Sequence, residues 1–297
     1  MYEKILNIDF NLDRDFKQRL LKLHNDMTQN LFDVKGRVLV MTGACGVLGS
    51  TIVKYFAAQG CKVVLLGRSA EKGERLVEEI SLSGGEACFL TTNVLDRDVL
   101  ESNYEQIIKK YGRIDILMNA AGGNMPAATV PPEKTIFDLD LDAVKQVAEL
   151  NLFGTVLPTM VFAKSMAESG KGSIINFASE SALRPLTRVA GYGVAKAAVV
   201  NWTKYLCAEL ALKFGEGIRV NAIAPGFILS NQNRSLLTNE DGSLTPRSET
   251  ILSHTPIGRF LEPDELVGTL HYLASDASKA VTGTVCVVDG GFDAFSI

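Results

Sequence analysis

Short apolar runs alternate with longer amphipathic stretches along most of this chain, and this alternation constrains the fold more than any other feature. Seven runs have the length and composition of buried strands, namely Val38–Met41, Lys62–Leu66, Ala87–Leu90, Ile114–Met118, Ser173–Phe177, Ile218–Ile223 and Val285–Val288. Strands that are joined by crossover helices run parallel and are covered by helices on both faces. The pattern therefore predicts an α/β fold on a doubly wound, seven-stranded parallel sheet.

Segments of helical length separate the predicted strands. The predicted helices are Leu48–Gln59, Ala70–Ser81, Val99–Tyr111, Leu141–Ser169, Tyr192–Phe214 and Pro263–Leu273. No linker-like block divides this region, so we predict a single domain over residues 35–297. Before it, apolar residues at roughly helical spacing among charged neighbours predict a helical arm over residues 1–34.

The longest irregular stretch, from Gly226 to Arg247, is rich in Asn, Gln, Ser, Thr and Gly. Long connections in compact domains commonly serve a binding site. We therefore predict a flap over the substrate at about residues 226–260.

Charge, cysteine and histidine content exclude several functions. The chain has 30 Lys and Arg against 34 Asp and Glu, so it lacks the net positive field that nucleic-acid binding needs. Its five cysteines stand singly, which predicts reduced thiols in the cytoplasm, and its three histidines lack metal-ligand spacing, which predicts no metal site. No apolar run approaches the ~18 residues that a membrane span needs.

A glycine-rich turn follows the first predicted strand. Gly43, Gly46 and Gly49 allow a tight turn, a close approach of backbone to a pyrophosphate, and close packing of the next helix. The phosphate would then meet the free N–H groups at the positive end of that helix. This context favours a dinucleotide site, and the alternative is a merely tight strand-to-helix turn.

The second predicted strand ends at Gly67-Arg68-Ser69, where a protein that binds an unphosphorylated ribose usually presents a carboxylate. No carboxylate stands there, and Arg68 could pair with a 2′-phosphate. The sequence slightly favours NADP over NAD and leaves both open. Alternatively, Arg68 is a solvated cation beside a helix.

Tyr192 and Lys196 are four residues apart at the start of a predicted helix, so both project from one face of it. A phenol has a pKa near ~10, and a neighbouring ammonium would lower that pKa and make an acid/base group. Such a pair alone is common on solvated helices, so the interpretation depends on its context.

That context is supplied by Ser179, which lies 13 residues before Tyr192, and by three further segments. These are Asn119-Ala120-Ala121-Gly122 with the helical Asn151, Pro225-Gly226 with Ser230, and Asp289-Gly290-Gly291. Together with the glycine turn they make the chain resemble the short-chain dehydrogenase/reductase family from about Phe32 to Gly291. The resemblance implies a single-domain Rossmann fold, a homotetramer, and an enzyme that acts on CH–OH groups with NAD or NADP.

The resemblance also implies residue roles. Tyr192 would exchange a proton with the substrate oxygen, and Ser179 would hydrogen-bond the same oxygen. Lys196 would hold the nicotinamide ribose and lower the pKa of Tyr192, while Asn151 would hold a water that relays protons. Considered singly, Ser179 could cap backbone at a strand end, and Asn151 could bond local carbonyls.

The positions that correspond to the cofactor contacts of this family are spread over five loops. They are Gly43, Cys45, Gly46, Val47, Leu48, Gly49, Arg68, Asn93, Val94, Asn119, Ala120, Ala121, Gly122, Pro225, Gly226, Ile228 and Ser230. The chain departs from the family pattern in the Gly46-Val47 spacing, in Asn93 for an Asp, in Ala120 for an Asn, and in Glu180 directly after Ser179.

A narrower resemblance is to bacterial members of this family that are assigned as D-mannonate (fructuronate) oxidoreductases. Arginine forks suit the carboxylate of a sugar acid, and amides suit its hydroxyl groups. The predicted substrate residues are Asn124, Glu180, Arg184, Arg188, Gln232, Asn233, Arg234 and His254. Each arginine could instead form a surface salt bridge.

Other functions stay open at this point. The same chemistry could act on another substrate, as in a gluconate 5-dehydrogenase-like enzyme, or on a polyol, a steroid or a 3-oxoacyl thioester. A catalytically silent dinucleotide-binding protein, or an epimerase or dehydratase that never releases its cofactor, are rivals from other classes.

Overall fold

One sheet of seven parallel strands organises the protein, which was analysed as a computed structural model that describes residues 18–19, 30–229 and 234–296. The strands lie in the order β3-β2-β1-β4-β5-β6-β7. They are β1 Val38–Thr42, β2 Lys62–Gly67, β3 Glu86–Thr91, β4 Ile116–Asn119, β5 Gly172–Phe177, β6 Ile218–Pro225 and β7 Val285–Val288. The predicted doubly wound sheet is confirmed, and each predicted strand overlaps an observed one.

Helices cover the sheet on both faces. They are α1 Val47–Ala58, α2 Ala70–Leu82, α3 Arg97–Tyr111, α4 Leu141–Ala148, α5 Gly154–Ser169, α6 Ala190–Phe214, α7 Arg234–Leu237, α8 Pro246–Ser253 and α9 Val267–Ala274. Alternate residues of β1 enter two separate apolar cores, because side chains of a strand point to opposite faces. Leu39 and Met41 join the core under α1, and Val38 and Val40 join the core under α5.

The predicted helix Leu141–Ser169 is interrupted by a π-helical turn over Glu149–Phe153, which separates α4 from α5. Asn151 lies in this turn and is fully buried. Its amide donates to the carbonyl of Val147, four residues earlier, at 2.8 Å. Such turns occur often at functional sites, since the extra residue changes which side chain faces inward.

Two predicted segments fall partly or wholly outside the described residues. The helical arm over residues 1–34 is described only at residues 18–19 and 30–34, so the structure does not test it. The flap at residues 226–260 is described except for residues 230–233, and it contains α7 and α8. Within the described residues, the structure contains no helix that combines the length and apolar character of a membrane span.

Candidate active site

The carboxyl ends of β1 and β4 form the switch point of the sheet, because the chain first builds outward from β1 to β3 and then returns to the other side of β1 at β4. Ligands of open α/β sheets bind in the crevice outside such a switch point. The glycine turn after β1 and the segment Asn119–Gly122 after β4 both lie at this edge. The sheet order therefore brings these two predicted cofactor segments together.

The turn after β1 requires glycine at two positions. Gly43 has φ of 68°, and a Cβ on it would lie 2.7 Å from the carbonyl oxygen of Ala120. A Cβ on Gly49 would lie 2.3 Å from the carbonyl oxygen of Gly43. Gly46 is less constrained, since its Cβ would have only one contact, at 3.3 Å.

Helix α1 begins directly after Gly46, with no side-chain cap and no acidic residue in its first turn. By contrast, Ser69 caps α2 and Asp96 caps α3. The first N–H groups of α1 are thus available to an anion and lie at the positive end of the helix dipole. The chemistry of these donors fits the pyrophosphate of a dinucleotide.

Thr42, which the sequence analysis did not single out, joins the two loops. Its hydroxyl oxygen accepts hydrogen bonds from the N–H groups of Ala120 and Ala121, both at 3.1 Å. The side chain of Asn119 is buried and donates at 2.9 Å to both Thr159 and Asn176. Asn119 therefore braces the sheet edge with its side chain.

Asn151 holds the loop after β4 in place. Its side-chain oxygen accepts from the N–H of Gly123 at 3.1 Å, and its amide donates to the carbonyl of Gly123 at 2.7 Å. A Cβ on Gly122 would lie 2.5 Å from the Asn151 side-chain oxygen and 3.2 Å from Nζ of Lys196. Asn151, Gly122 and Lys196 therefore meet at one point.

Tyr192 and Lys196 project from the first two turns of α6, as their spacing predicted. Lys196 is 4% exposed, and its ammonium lies 5.6 Å from the centre of the Tyr192 ring. Ser179 follows β5, and its hydroxyl oxygen accepts from the N–H and the hydroxyl of Ser181 at 3.2 and 3.1 Å. Ser179 also lies close enough to the Tyr192 hydroxyl to influence its pKa.

The pKa values of this group differ from the expectation. Burial raises the pKa of Tyr192, and the nearby Ser179 side chain only partly opposes that rise. Burial lowers the pKa of Lys196 to about 8. The expected depression of the tyrosine pKa by the ammonium is therefore wrong for this structure, because loss of solvent dominates at the phenol.

The other predicted cofactor residues lie along the same edge of the sheet. Arg68 is exposed after β2, Asn93 is exposed after β3, and Val94 is buried against Gly154. Cys45, Val47 and Leu48 lie in the turn after β1 and at the start of α1. Pro225 ends β6, and Gly226 and Ile228 follow it. Ser230 lies outside the described residues.

The predicted substrate residues have different environments. Arg184 is not free to bind a substrate carboxylate as expected, because it forms an ion pair with Asp293 at 2.8 Å. His254 ends α8 in an exposed position, and its Nδ1 lies 2.9 Å from the Thr250 carbonyl oxygen. Arg234 is exposed at the start of α7, and Gln232 and Asn233 lie outside the described residues.

Two predicted substrate residues have buried oxygens without partners among the described residues. Asn124 donates to Thr129 at 3.2 Å, while its own side-chain oxygen is buried without a hydrogen bond. Glu180 is 1% exposed, and neither carboxyl oxygen has a partner. Burial and the charges of Asp289 and Asp293 raise the pKa of Glu180 to about 8, and Arg184 partly opposes them.

Arg247 of α8 was not predicted from the sequence. Its guanidinium donates at 3.0 Å to both the hydroxyl and the carbonyl oxygen of Thr187, which precedes the predicted Arg188. Sixty residues separate the two partners, so no local spacing could reveal the contact. Among the described residues, no group of three His, Cys, Asp or Glu is placed to hold a metal ion.

Comparison with known proteins gives consistent matches. The family model described as enoyl-(acyl carrier protein) reductase matches residues 43–293. UxuB of Bacillus subtilis strain 168, an uncharacterized oxidoreductase, is 42% identical over 274 residues, which are 89% of this chain and 97% of the relative.

Two solved structures are similar over most of their length. One is a Haemophilus influenza protein with bound NAD, provisionally assigned as a D-mannonate oxidoreductase, with a TM-score of 0.83, 41% identity, and coverage of 89% of this chain and 97% of that chain. The other is a gluconate 5-dehydrogenase from Burkholderia cenocepacia in complex with NADP and tartrate, with a TM-score of 0.80, 29% identity, and coverage of 90% and 98%.

The fold and these matches define an oxidoreductase that uses NAD or NADP and acts on CH–OH groups. The chain belongs to the short-chain dehydrogenase/reductase family, which confirms the resemblance that its motifs carry.

Proposed function

We propose that this enzyme interconverts the secondary alcohol and the ketone of a sugar acid, of the D-mannonate and D-fructuronate type. The placement of Ser179 beside the Tyr192 hydroxyl, with the Lys196 ammonium 5.6 Å from the centre of the tyrosine ring, is the observation that carries the proposal. A secondary alcohol must lose its hydroxyl proton as its carbon loses hydride. Tyr192 is the group that is placed to exchange this proton.

Ser179 and Tyr192 converge on one substrate oxygen in this proposal. Ser181 donates to the Ser179 hydroxyl oxygen, so the proton of Ser179 is left for the substrate oxygen or for Tyr192. Asn151 holds the loop after β4 beside Lys196. The bound nicotinamide supplies or accepts the hydride.

The glycine turn, the first turn of α1 and Arg68 would hold the dinucleotide. Arg68 is exposed, and it forms no ion pair with any carboxylate in the described part of the chain. An unpaired guanidinium at the end of the second strand suits a 2′-phosphate. This supports the slight preference for NADP, while the Haemophilus relative carries NAD.

A sugar acid is supported by the polar groups at the site and by the relatives. Asn124 keeps a buried, unpartnered oxygen, which suits the hydroxyl of a polyhydroxylated substrate. Two similar structures are assigned to sugar acids, mannonate and gluconate.

A substrate panel with both cofactors tests the proposal. We expect turnover of D-mannonate with NAD(P)⁺ and of D-fructuronate with NAD(P)H, and little turnover of a polyol, a steroid or a 3-oxoacyl thioester. Turnover of the thioester alone would instead favour the alternative of a 3-oxoacyl thioester reductase. If NAD(P)H binds and no substrate turns over, the protein is a silent dinucleotide-binding protein.

We also propose that the chain forms a homotetramer through α5 and α6. These helices expose large apolar side chains, namely Met160, Val194, Tyr205, Leu212 and Phe214. Exposed apolar area on two neighbouring helices favours self-association. Light scattering after size-exclusion chromatography should give four times the chain mass of 32.1 kDa, and a monomer mass would contradict this.

A further inference from the structure

Arg188 has an unusual backbone conformation. Its φ is 75°, and within the described residues every other positive φ belongs to glycine. Residues with a side chain avoid this conformation, which persists where surrounding contacts fix it and which occurs often at binding sites. Here the carbonyl of Arg188 accepts a hydrogen bond from the N–H of Val130 at 2.9 Å. The contact ties the loop before α6 to the loop after β4.

Arg247 packs against the same loop from α8. Its two terminal nitrogens donate at 3.0 Å to Oγ1 and to the carbonyl oxygen of Thr187. Both Arg188 and Arg247 are half-buried. The two arginines therefore come from segments far apart in sequence and approach each other at Thr187.

Within residues 30–229 and 234–296, the two guanidinium groups have no neutralising ion pair. Arg184 pairs with Asp293 and Arg259 pairs with Glu265, yet in the described part of the chain no carboxylate pairs with Arg188 or Arg247. Burial and the positive charge of Arg188 lower the pKa of Arg247. Two like charges that are held together and partly shielded from solvent are unfavourable unless an anion joins them.

We propose that Arg188 and Arg247 form the subsite that binds the carboxylate of the substrate, an inference that rests on the proposed sugar-acid function. Arg188 lies just before α6, which carries Tyr192, and its carbonyl binds Val130 of the loop whose Ala128 belongs to the apolar cluster that Tyr192 packs against. The backbone of the subsite is therefore tied to the surroundings of the candidate proton-transfer group. Thr187 orients the Arg247 fork by taking two of its N–H groups, and the remaining donors are left for the anion. The substrate class is therefore an aldonate or ketoaldonate, and a neutral polyol lacks the group that this site recognises.

D-Mannonate and its neutral carboxamide test the subsite, because they differ only in the charged end. Replacement of a charge-assisted contact lowers affinity by roughly 10- to 100-fold. We expect Arg247→Gln and Arg188→Gly to lower kcat/KM for D-mannonate by that factor, through KM rather than kcat. The kcat/KM for the carboxamide should stay unchanged. Arg188→Gly also relieves the backbone strain, so it should fold at least as well as the unmodified chain.

A binding measurement separates this inference from the proposed function. Calorimetric titration of D-mannonate into Tyr192→Phe with bound NAD(P)H reports affinity without turnover, and adding Arg247→Gln should weaken it. Arg259→Gln is the matched control, since Arg259 is neutralised by Glu265. The proposed subsite would be overturned by equal losses of kcat/KM for D-mannonate and its carboxamide. Unchanged D-mannonate binding in both Arg247→Gln and Arg188→Gly would overturn it as well. Failure of the unmodified enzyme on every sugar acid would overturn the proposed function instead.

Discussion

Lys196 donates a 2.7 Å hydrogen bond to the carbonyl oxygen of Phe177, the last residue of β5. The ammonium is buried, and this carbonyl is its one hydrogen-bond partner within the described residues. The position of the ammonium is therefore fixed by the end of a strand and not by a carboxylate. This strand end lies two residues before Ser179. Because burial lowers the pKa of Lys196 to about 8, its charge depends on pH in the neutral to alkaline range.

This dependence predicts an alkaline limb in the rate of ketone reduction. A lysine is charged below its pKa, so the ammonium is present below about pH 8 and is lost above it. Tyr192 stays protonated throughout, since its pKa is raised. We expect kcat/KM for reduction to be flat below pH 8 and to fall about tenfold per pH unit above it. Lys196→Arg should move the limb to higher pH, and an unchanged limb would contradict the assignment.

Tyr192→Phe removes the hydroxyl and keeps the ring. We expect kcat to fall by about 10²- to 10⁴-fold, which is the usual contribution of a general acid or base. NAD(P)H binding, measured by fluorescence, should persist. Tyr205→Phe is the matched control, because Tyr205 lies on the same helix, is exposed and stacks on Trp202. Comparable rates for the two variants would show that Tyr192 does not exchange the proton.

Sequence periodicity was sufficient to predict the sheet and the helices that flank it, apart from the π-helical turn over Glu149–Phe153. Buried parallel strands such as Val38–Thr42 are almost wholly apolar, and the helices between them are amphipathic, so both element types leave a clear pattern. The glycine turn was also predictable, since the backbone contacts at Gly43 and Gly49 exclude any side chain. The periodicity of the elements and the glycine spacing of the turn are both properties of short sequence segments.

Contacts between distant segments could not be predicted. The pairing of Arg184 with Asp293 spans 109 residues, and the contact of Arg247 with Thr187 spans 60. Neither contact leaves a local spacing in the sequence. Arg184 was therefore expected to bind substrate although it pairs with Asp293, and Arg247 was missed. The Tyr192 pKa was misjudged for a related reason, because burial is set by packing of the whole site and not by the distance to one lysine.

Gly49→Ala should weaken dinucleotide binding. Its Cβ would lie 2.3 Å from the carbonyl oxygen of Gly43, so the turn or α1 must move. A loss of at least about tenfold in NAD(P)H affinity follows if even one phosphate contact is broken. Gly268→Ala in α9 is the control, since no atom lies within 4 Å of that Cβ. If both variants bind NAD(P)H as the unmodified chain does, the turn does not hold the phosphates.

Arg68→Ala should reduce use of NADP⁺ and leave use of NAD⁺ unchanged. Arg68 is exposed and would contact only the 2′-phosphate. Loss of one charge-assisted contact to a phosphate lowers kcat/KM by roughly 10- to 100-fold. Arg75→Ala is the matched control, because Arg75 is paired with Glu79 on α2. A parallel change with both cofactors would place Arg68 outside the 2′-phosphate site.

Glu180 should make the protein less stable as pH rises. Its pKa is about 8 in the folded chain against an ordinary value of 4.5, so between these values the unfolded chain releases a proton that the folded chain retains. The unfolding free energy then falls between about pH 4.5 and 8, by at most about 1.4 kcal/mol per pH unit. Urea denaturation across this range measures the slope.

Glu180→Gln removes the titrating group and keeps the shape of the side chain. The slope should largely disappear, and at pH 8 the variant should be more stable than the unmodified chain, because its amide has no proton that only the unfolded chain releases. Glu105→Gln on the exposed face of α3 should leave the slope unchanged. If Glu180→Gln keeps the slope of the unmodified chain, the buried carboxyl has a partner that neutralises it, and the stability loss originates elsewhere.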